Sequence, residues 1–139
     1  PENEFFKTLS TVRRVLEPEL AYIAASTATE EDIAQIKKAY EGMEKAETVE
    51  DFIQPDIDFH LSIARATHND LLAYMSKMLV LPLQQSIQVT SLRPNLQGHS
   101  LPRHKAILTA IENKDPLSAR HASLVQLDDT KMAYNLIKK

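Results

Sequence analysis

The chain contains no cysteine and only two glycines in 139 residues. The first absence excludes disulfides, a thiolate metal site and a cysteine nucleophile; it leaves the redox compartment open and is compatible with a reducing cytoplasm. The second weighs against all-β folds and βαβ nucleotide folds, which place glycine at tight turns and phosphate loops. The amino terminus has no charged-then-apolar signal pattern. Long hydrophobic runs are missing too. The most apolar stretch, residues 71–89, is interrupted by Lys77, Pro82, Gln84 and Gln85, so no membrane partner is expected. Lysines and arginines do not interleave with aromatics, which excludes a nucleic-acid footprint.

What is present fits one globular domain. Hydrophobic residues make up 43% and charged residues 25%, near the average for folded domains of a size that buries a real core. Acids outnumber bases two to one in residues 1–69, and the balance reverses in residues 70–139. Two solvated faces of opposite sign account for this.

Helix signals follow one another along the chain. Residues 4–27 carry Phe5, Leu9, Val12, Leu16, Leu20, Ile23 and Ala24 at helical spacing, with Pro18 expected to kink or restart the helix. Thr29 followed by Glu30-Glu31-Asp32 opens a second helix, to about Ala46. Thr48 followed by Glu50-Asp51 opens a third, to about Thr67, with Pro55 either in its first turn or splitting off a leading turn. Asn69 caps a helix from Asp70 to about Val89, apolar almost all round, which predicts a place in the middle of a bundle or against a second subunit and a bend at Pro82. Residues 90–98 read as the one substantial loop, and Ser100 as the cap of a helix holding Pro102 in its first turn. Asp115-Pro116 starts the last helix, to about Ile137, with Ala119, Ala122, Gln126, Thr130 and Ala133 on one small-residue face. The expected fold is all-α, an antiparallel bundle of six helices, or seven if Pro18 or Pro55 divides one.

Bundles build their sites from side chains on facing helices. Asp56 and His60 are four residues apart and so project from one helical face. Such a pair either grips a divalent ion or forms an ordinary ion pair. His104, and then Gln126 or His121, are the candidates on two further helices. His68 and His99 read as solvent-exposed. His121, five residues from Gln126, points to a different side of the last helix and reads as surface. Composition and spacing alone leave the metal and ion-pair readings both open.

Four features recur in order: Val12-Arg13-Arg14-Val15-Leu16-Glu17-Pro18 followed by Ala24-Ala25; Asp56-x-x-Phe59-His60; Asn69 followed by leucines; and His104-Lys105-Ala106-Ile107-Leu108-x-Ala110-Ile111 leading to Asp115-Pro116 and Ala119. Together they resemble the effector-binding FCD domain of the FadR-type branch of GntR-family bacterial transcription regulators, over about residues 5–130. The spacing after Asn69 is similar to that of galactonate-type repressors within the branch. The resemblance implies a helical bundle enclosing a pocket for a small organic or sugar acid such as an aldonate. It also implies a divalent metal on the pocket floor held by one Asp and three His, zinc first and nickel or manganese as alternatives.

Three of those positions match, at Asp56, His60 and His104; Gln126 stands where the fourth ligand belongs, which weakens affinity or leaves water to complete the shell. Arg13, at the family's Val-Arg position, is expected to clamp the acid's carboxylate, with a surface arginine lying over the bundle as the alternative. Gln126 is expected as a pocket wall, and Asn69 is a third effector-facing candidate besides its capping role. A cytoplasmic homodimer is implied, meeting DNA only through a winged-helix domain that residues 1–139, read as one FCD-type domain, have no room for. Two other classes compete: a small helical metallohydrolase, in which Asp58 is the one further acid in reach and points away from His60, and a ligand-free helical dimerisation module.

Overall fold

The computed structural model describes the backbone of residues 2–90 and 96–138, without the side chains at 2, 3, 96, 97, 99 and 136–138. Among the described residues there are seven helices and no strand: α1 Glu2–Thr27, α2 Glu30–Lys45, α3 Val49–Arg65, α4 Asp70–Met78, α5 Val80–Thr90, α6 Leu96–Glu112 and α7 Pro116–Lys138. The expected all-α bundle is therefore the fold.

The starts are set by side chains that satisfy free backbone N–H groups. Thr29 and Asp32 form a reciprocal capping box at α2, Thr48 accepts from the Asp51 N–H at α3, and Asn69 accepts from the N–H groups of Leu71 and Leu72 at α4. Asp115 does the same for Ser118 at α7. Two helices end on non-glycine residues with positive φ, His68 (54°) and Lys114 (55°). At Lys114 the N–H of Asp115 reaches back to the Ala110 carbonyl and its own N–H to Ile111, a helix-ending pattern usually given to glycine. The Lys114 ammonium also donates to the Ala28 carbonyl, tying the α6–α7 turn to the end of α1.

The prolines do not act where the sequence suggests. α1 runs unbroken through Pro18 and α3 through Pro55, so neither divides a helix. The seventh helix arises at Leu79, whose N–H turns back to Ser76 and Lys77; Pro82 then falls in the first turn of α5, where its missing N–H costs nothing. The expected loop is also shorter at its far end. α6 already begins at Leu96, so Ser100 lies inside it and is not its cap; residues 91–95 and the His99 side chain lie outside the described residues.

Five helices close on themselves: α1 packs along α7, α7 on α6, α6 on α2, α2 on α3, and α3 returns to α1. Gly42 allows α2 to approach α3, since a Cβ there would meet the Pro55 ring at 3.1 Å. Phe52, Phe59, Ile36, Met43, Leu108 and Ile111 are the largest apolar side chains sealed inside. The small face predicted on α7 is turned inward at Ala119, Ala122, Gln126 and Ala133.

One expectation is overturned. The apolar segment after Asn69 does not run through the middle of the bundle as one helix: α4 lies on its outside, with Leu71, Tyr74 and Met78 about two-thirds exposed, and α5, with Leu81 exposed, turns only Leu83, Ser86, Ile87 and Thr90 inward. Of α4 only Ser76 is fully buried. The ring is already closed by the other five helices, so an apolar helix beyond it has only one side to cover.

Candidate metal centre and adjoining cavity

α3 and α6 bring the three predicted ligands together. Asp56 and His60 lie one turn apart on α3, and His104 enters from α6, with its side chain only 1% exposed. One carboxylate oxygen, Asp56 Oδ1, stands 3.1 Å from Nε2 of His60 and 3.1 Å from Nε2 of His104. A ligating atom of each residue lies within 4.8 Å of the others. Phe59 packs edge-on against His104, with ring centroids 5.0 Å apart, and walls the group off from the rest of the core.

The other ring nitrogens are also held. Nδ1 of His104 donates to the Ser100 carbonyl at 2.9 Å, with the Ser100 hydroxyl 3.1 Å away, and Nδ1 of His60 donates to Glu17 Oε1 at 3.0 Å. With their protons on Nδ1, neutral imidazoles present two Nε2 lone pairs to a carboxylate oxygen. Electron-rich atoms converging in a buried space need a cation between them, or protons on the nitrogens. The donor set thus suits a divalent ion, and outward-facing Nδ1–H groups anchored on acceptors are the usual way a protein fixes metal-binding imidazoles.

In the absence of an ion, protons supply the charge. Burial disfavours the His60 cation, but the carboxylates of Glu17 and Asp56 outweigh it and raise the group to about 9. For Asp56, burial pushes the carboxyl up; the charges and hydrogen bonds of His104 and His60 win and hold it far below the usual range. Glu17 is likewise pushed up by burial and drawn down further by Arg13 and His60, to about 2.

Glu17 has no assigned role in the sequence reading, although it is central to this network. Arg13 Nε meets its Oε2 at 2.5 Å and Nη2 its Oε1 at 3.2 Å, both within the buried face of α1. Arg13 is 5% exposed and is not a surface arginine. Val12 and Val15, part of or beside the apolar stripe predicted for this helix, are the exposed ones at 41% and 72%. The available signal is the four-residue spacing of Arg13 and Glu17, which puts both charges on the same side as Leu9, Leu20 and Ala24.

Arg13 also lines a cavity of about 550 Å³ between α1, α5 and α7, with Lys7, Arg14, Lys131, Thr130 and Leu127 among its walls. Gln126 is buried on α7; its Nε2 donates to Thr130 Oγ1 at 3.0 Å, and its Oε1 has no hydrogen-bond partner among the described residues. The remaining candidates lie elsewhere. Asn69 is exposed, with its oxygen on the α4 N-terminus. His121 is exposed beside an outer groove of α6 and α7. His68 is half exposed and pairs with Asp32 at 2.6 Å. Asp58 is exposed and accepts from Gln54.

The fold is an all-α bundle around a buried Asp-His-His cluster, and comparison with known proteins gives its family. The FCD domain model matches residues 8–129, and the chain belongs to the FCD domain family of GntR-type transcription regulators. It is 35% identical over 138 residues to the Uxu operon transcriptional regulator of Escherichia coli K12, covering 88% of this chain and 51% of that protein. It is 29% identical over 133 residues to the Galactonate operon transcriptional repressor of the same organism, covering 91% and 58%. The chain thus spans about half the length of the curated relatives it matches. Among solved structures, Streptococcus agalactiae GntR aligns with a TM-score of 0.81 at 22% identity, over 95% of this chain and 60% of that one. E. coli McbR/YncC aligns with a TM-score of 0.75 at 20% identity, over 95% and 63%. These two likenesses show the fold.

Proposed function

We propose that the chain is the effector-sensing domain of a GntR/FadR-type regulator and not an enzyme. It binds a small organic or sugar acid and controls DNA binding by an attached domain in the cytoplasm. The observation that carries this reading is the convergence of Asp56, His60 and His104 on one buried point next to an arginine that faces a cavity. Asp56, His60 and His104 would hold a divalent metal, zinc first, with Gln126 standing where the family resemblance implies a fourth ligand. The ion supplies positive charge that attracts an anionic ligand.

The protein's own residues do the rest. The 550 Å³ cavity has the volume of an ordinary small-molecule site. Lys7 and Lys131, set against Glu4 and with Arg14 paired to Asp128, bias it toward anions, and the Arg13 N–H groups not turned to Glu17 can take a carboxylate. Gln126, with its free oxygen, receives a hydroxyl; Asn69 acts through the start of α4. The galactonate named for one relative fits this chemistry and is the first acid to test. A homodimer is proposed on the exposed apolar row of α4 and α5.

The test is metal content by elemental analysis of the purified protein beside Asp56→Ala and His60→Ala, followed by thermal unfolding with D-galactonate and other sugar acids. Metal in the parent, its loss in both variants, and saturable stabilisation without turnover are expected. Equal metal in all three refutes the site. Conversion of an acid to product would favour the hydrolase instead.

A further inference from the structure

Glu17 is the one buried acid near the centre that is not itself a candidate ligand. It touches both halves of the arrangement: Oε1 receives His60 Nδ1 at 3.0 Å, and both its oxygens receive Arg13, whose side chain reaches the cavity wall. Its side chain is 10% exposed, so these contacts face little competition from water. A carboxylate behind a metal-binding imidazole fixes its tautomer and ring plane and makes the opposite nitrogen a better donor. The three contacts also make Glu17 a shared acceptor. Any anion that takes up Arg13 from the cavity side draws on the same guanidinium and changes how fully Glu17 is available to His60.

We propose that Glu17 is a positioning residue for the metal centre, orienting His60 Nε2 toward the ion, and that its shared contact with Arg13 links occupation of the cavity to metal affinity. This rests on the metal reading above. By reciprocity, an anion that alters zinc affinity through Glu17 has its own affinity altered by zinc by the same factor. The competing explanation is structural: Glu17 only neutralises a buried arginine.

Zinc affinity, measured by competition with a chromophoric chelator, separates the two. Glu17→Gln is expected to weaken zinc about 10- to 100-fold, the usual effect of losing such an acceptor. Glu17→Gln leaves Arg13 unpaired and could prevent folding, so Arg13→Met and Arg13→Met/Glu17→Gln form a second pair without that charge, checked by helical circular dichroism. The same 10- to 100-fold difference is expected between them. Parent and Glu17 variants binding zinc equally would overturn the positioning role while leaving the metal site intact. A parent that holds no zinc overturns the site and this inference with it. For the link to the cavity, D-galactonate is expected to shift zinc affinity in the parent and not in Arg13→Met/Glu17→Gln; an identical shift in both would refute it.

Discussion

At the scale of single residues, the centre is legible where its chemistry is local and illegible where it is not. Asp56 and His60 can be paired from spacing alone because one helical turn joins them. His104 stands as a candidate on a facing helix, but it is tied to them by family resemblance, since nothing local links α6 to α3. Glu17 escapes because its partner His60 is on another helix and because a charged residue in an apolar stripe reads as surface. Gln126 is the residue where a prediction follows most directly. Its buried oxygen has no hydrogen-bond partner among the described residues, and the family resemblance implies a fourth ligand at its position. Gln126→His is expected to tighten zinc binding about tenfold or more by supplying a fourth imidazole, measured by chelator competition. Weaker or unchanged binding would place the side chain away from the ion.

Asp32 supplies the pH prediction. Burial pushes its carboxyl up, but the Thr29 N–H and the His68 ring, 2.6 Å away, together outweigh it and lower the group below the ordinary 3.8. A carboxyl lowered on folding adds stability that is fully present above its unfolded pKa and is lost as pH falls through the folded one. Urea unfolding between pH 6 and pH 3 is therefore expected to show a steeper loss below about 4 in the parent than in Asp32→Asn. Parallel curves would remove the pair from the account.

At the scale of helices, the caps were the legible part. Thr29, Thr48, Asn69 and Asp115 all stand at starts inferred from sequence, because capping is a contact within three residues. Boundaries governed by distant packing were not. The break at Leu79 lies between two apolar residues with no glycine or proline beside it, and α6 starts at Leu96, ahead of the polar signal at Ser100. Helix burial was the hardest to read, since residues 70–89 look like core in composition, yet α4 lies outside a ring that sequence alone does not reveal and α5 buries one side only. Asn69→Ala is expected to lower stability by about 1 kcal/mol, the typical cost of a lost N-cap, and to blunt the response to D-galactonate only in step with that loss. A selective loss of that response would give Asn69 a direct part in binding.

At the scale of the whole molecule, the outer apolar row of Leu71, Tyr74, Met78 and Leu81 is the clearest surface for self-association. If the proposed homodimer forms through this row, replacing Met78 and Leu81 together by Asp is expected to leave a monomer in light scattering, without loss of helical signal. A dimer that survives would direct attention to another face.

Two exposed ion pairs join α1 to α7, Arg14 to Asp128 at 2.5 Å and Arg120 to Glu19 at 2.8 Å, one within and one just beyond the turn that carries Arg13 and Glu17. Exposed pairs of this kind weaken as ionic strength rises, so added salt is expected to loosen α1 against α7 around that turn.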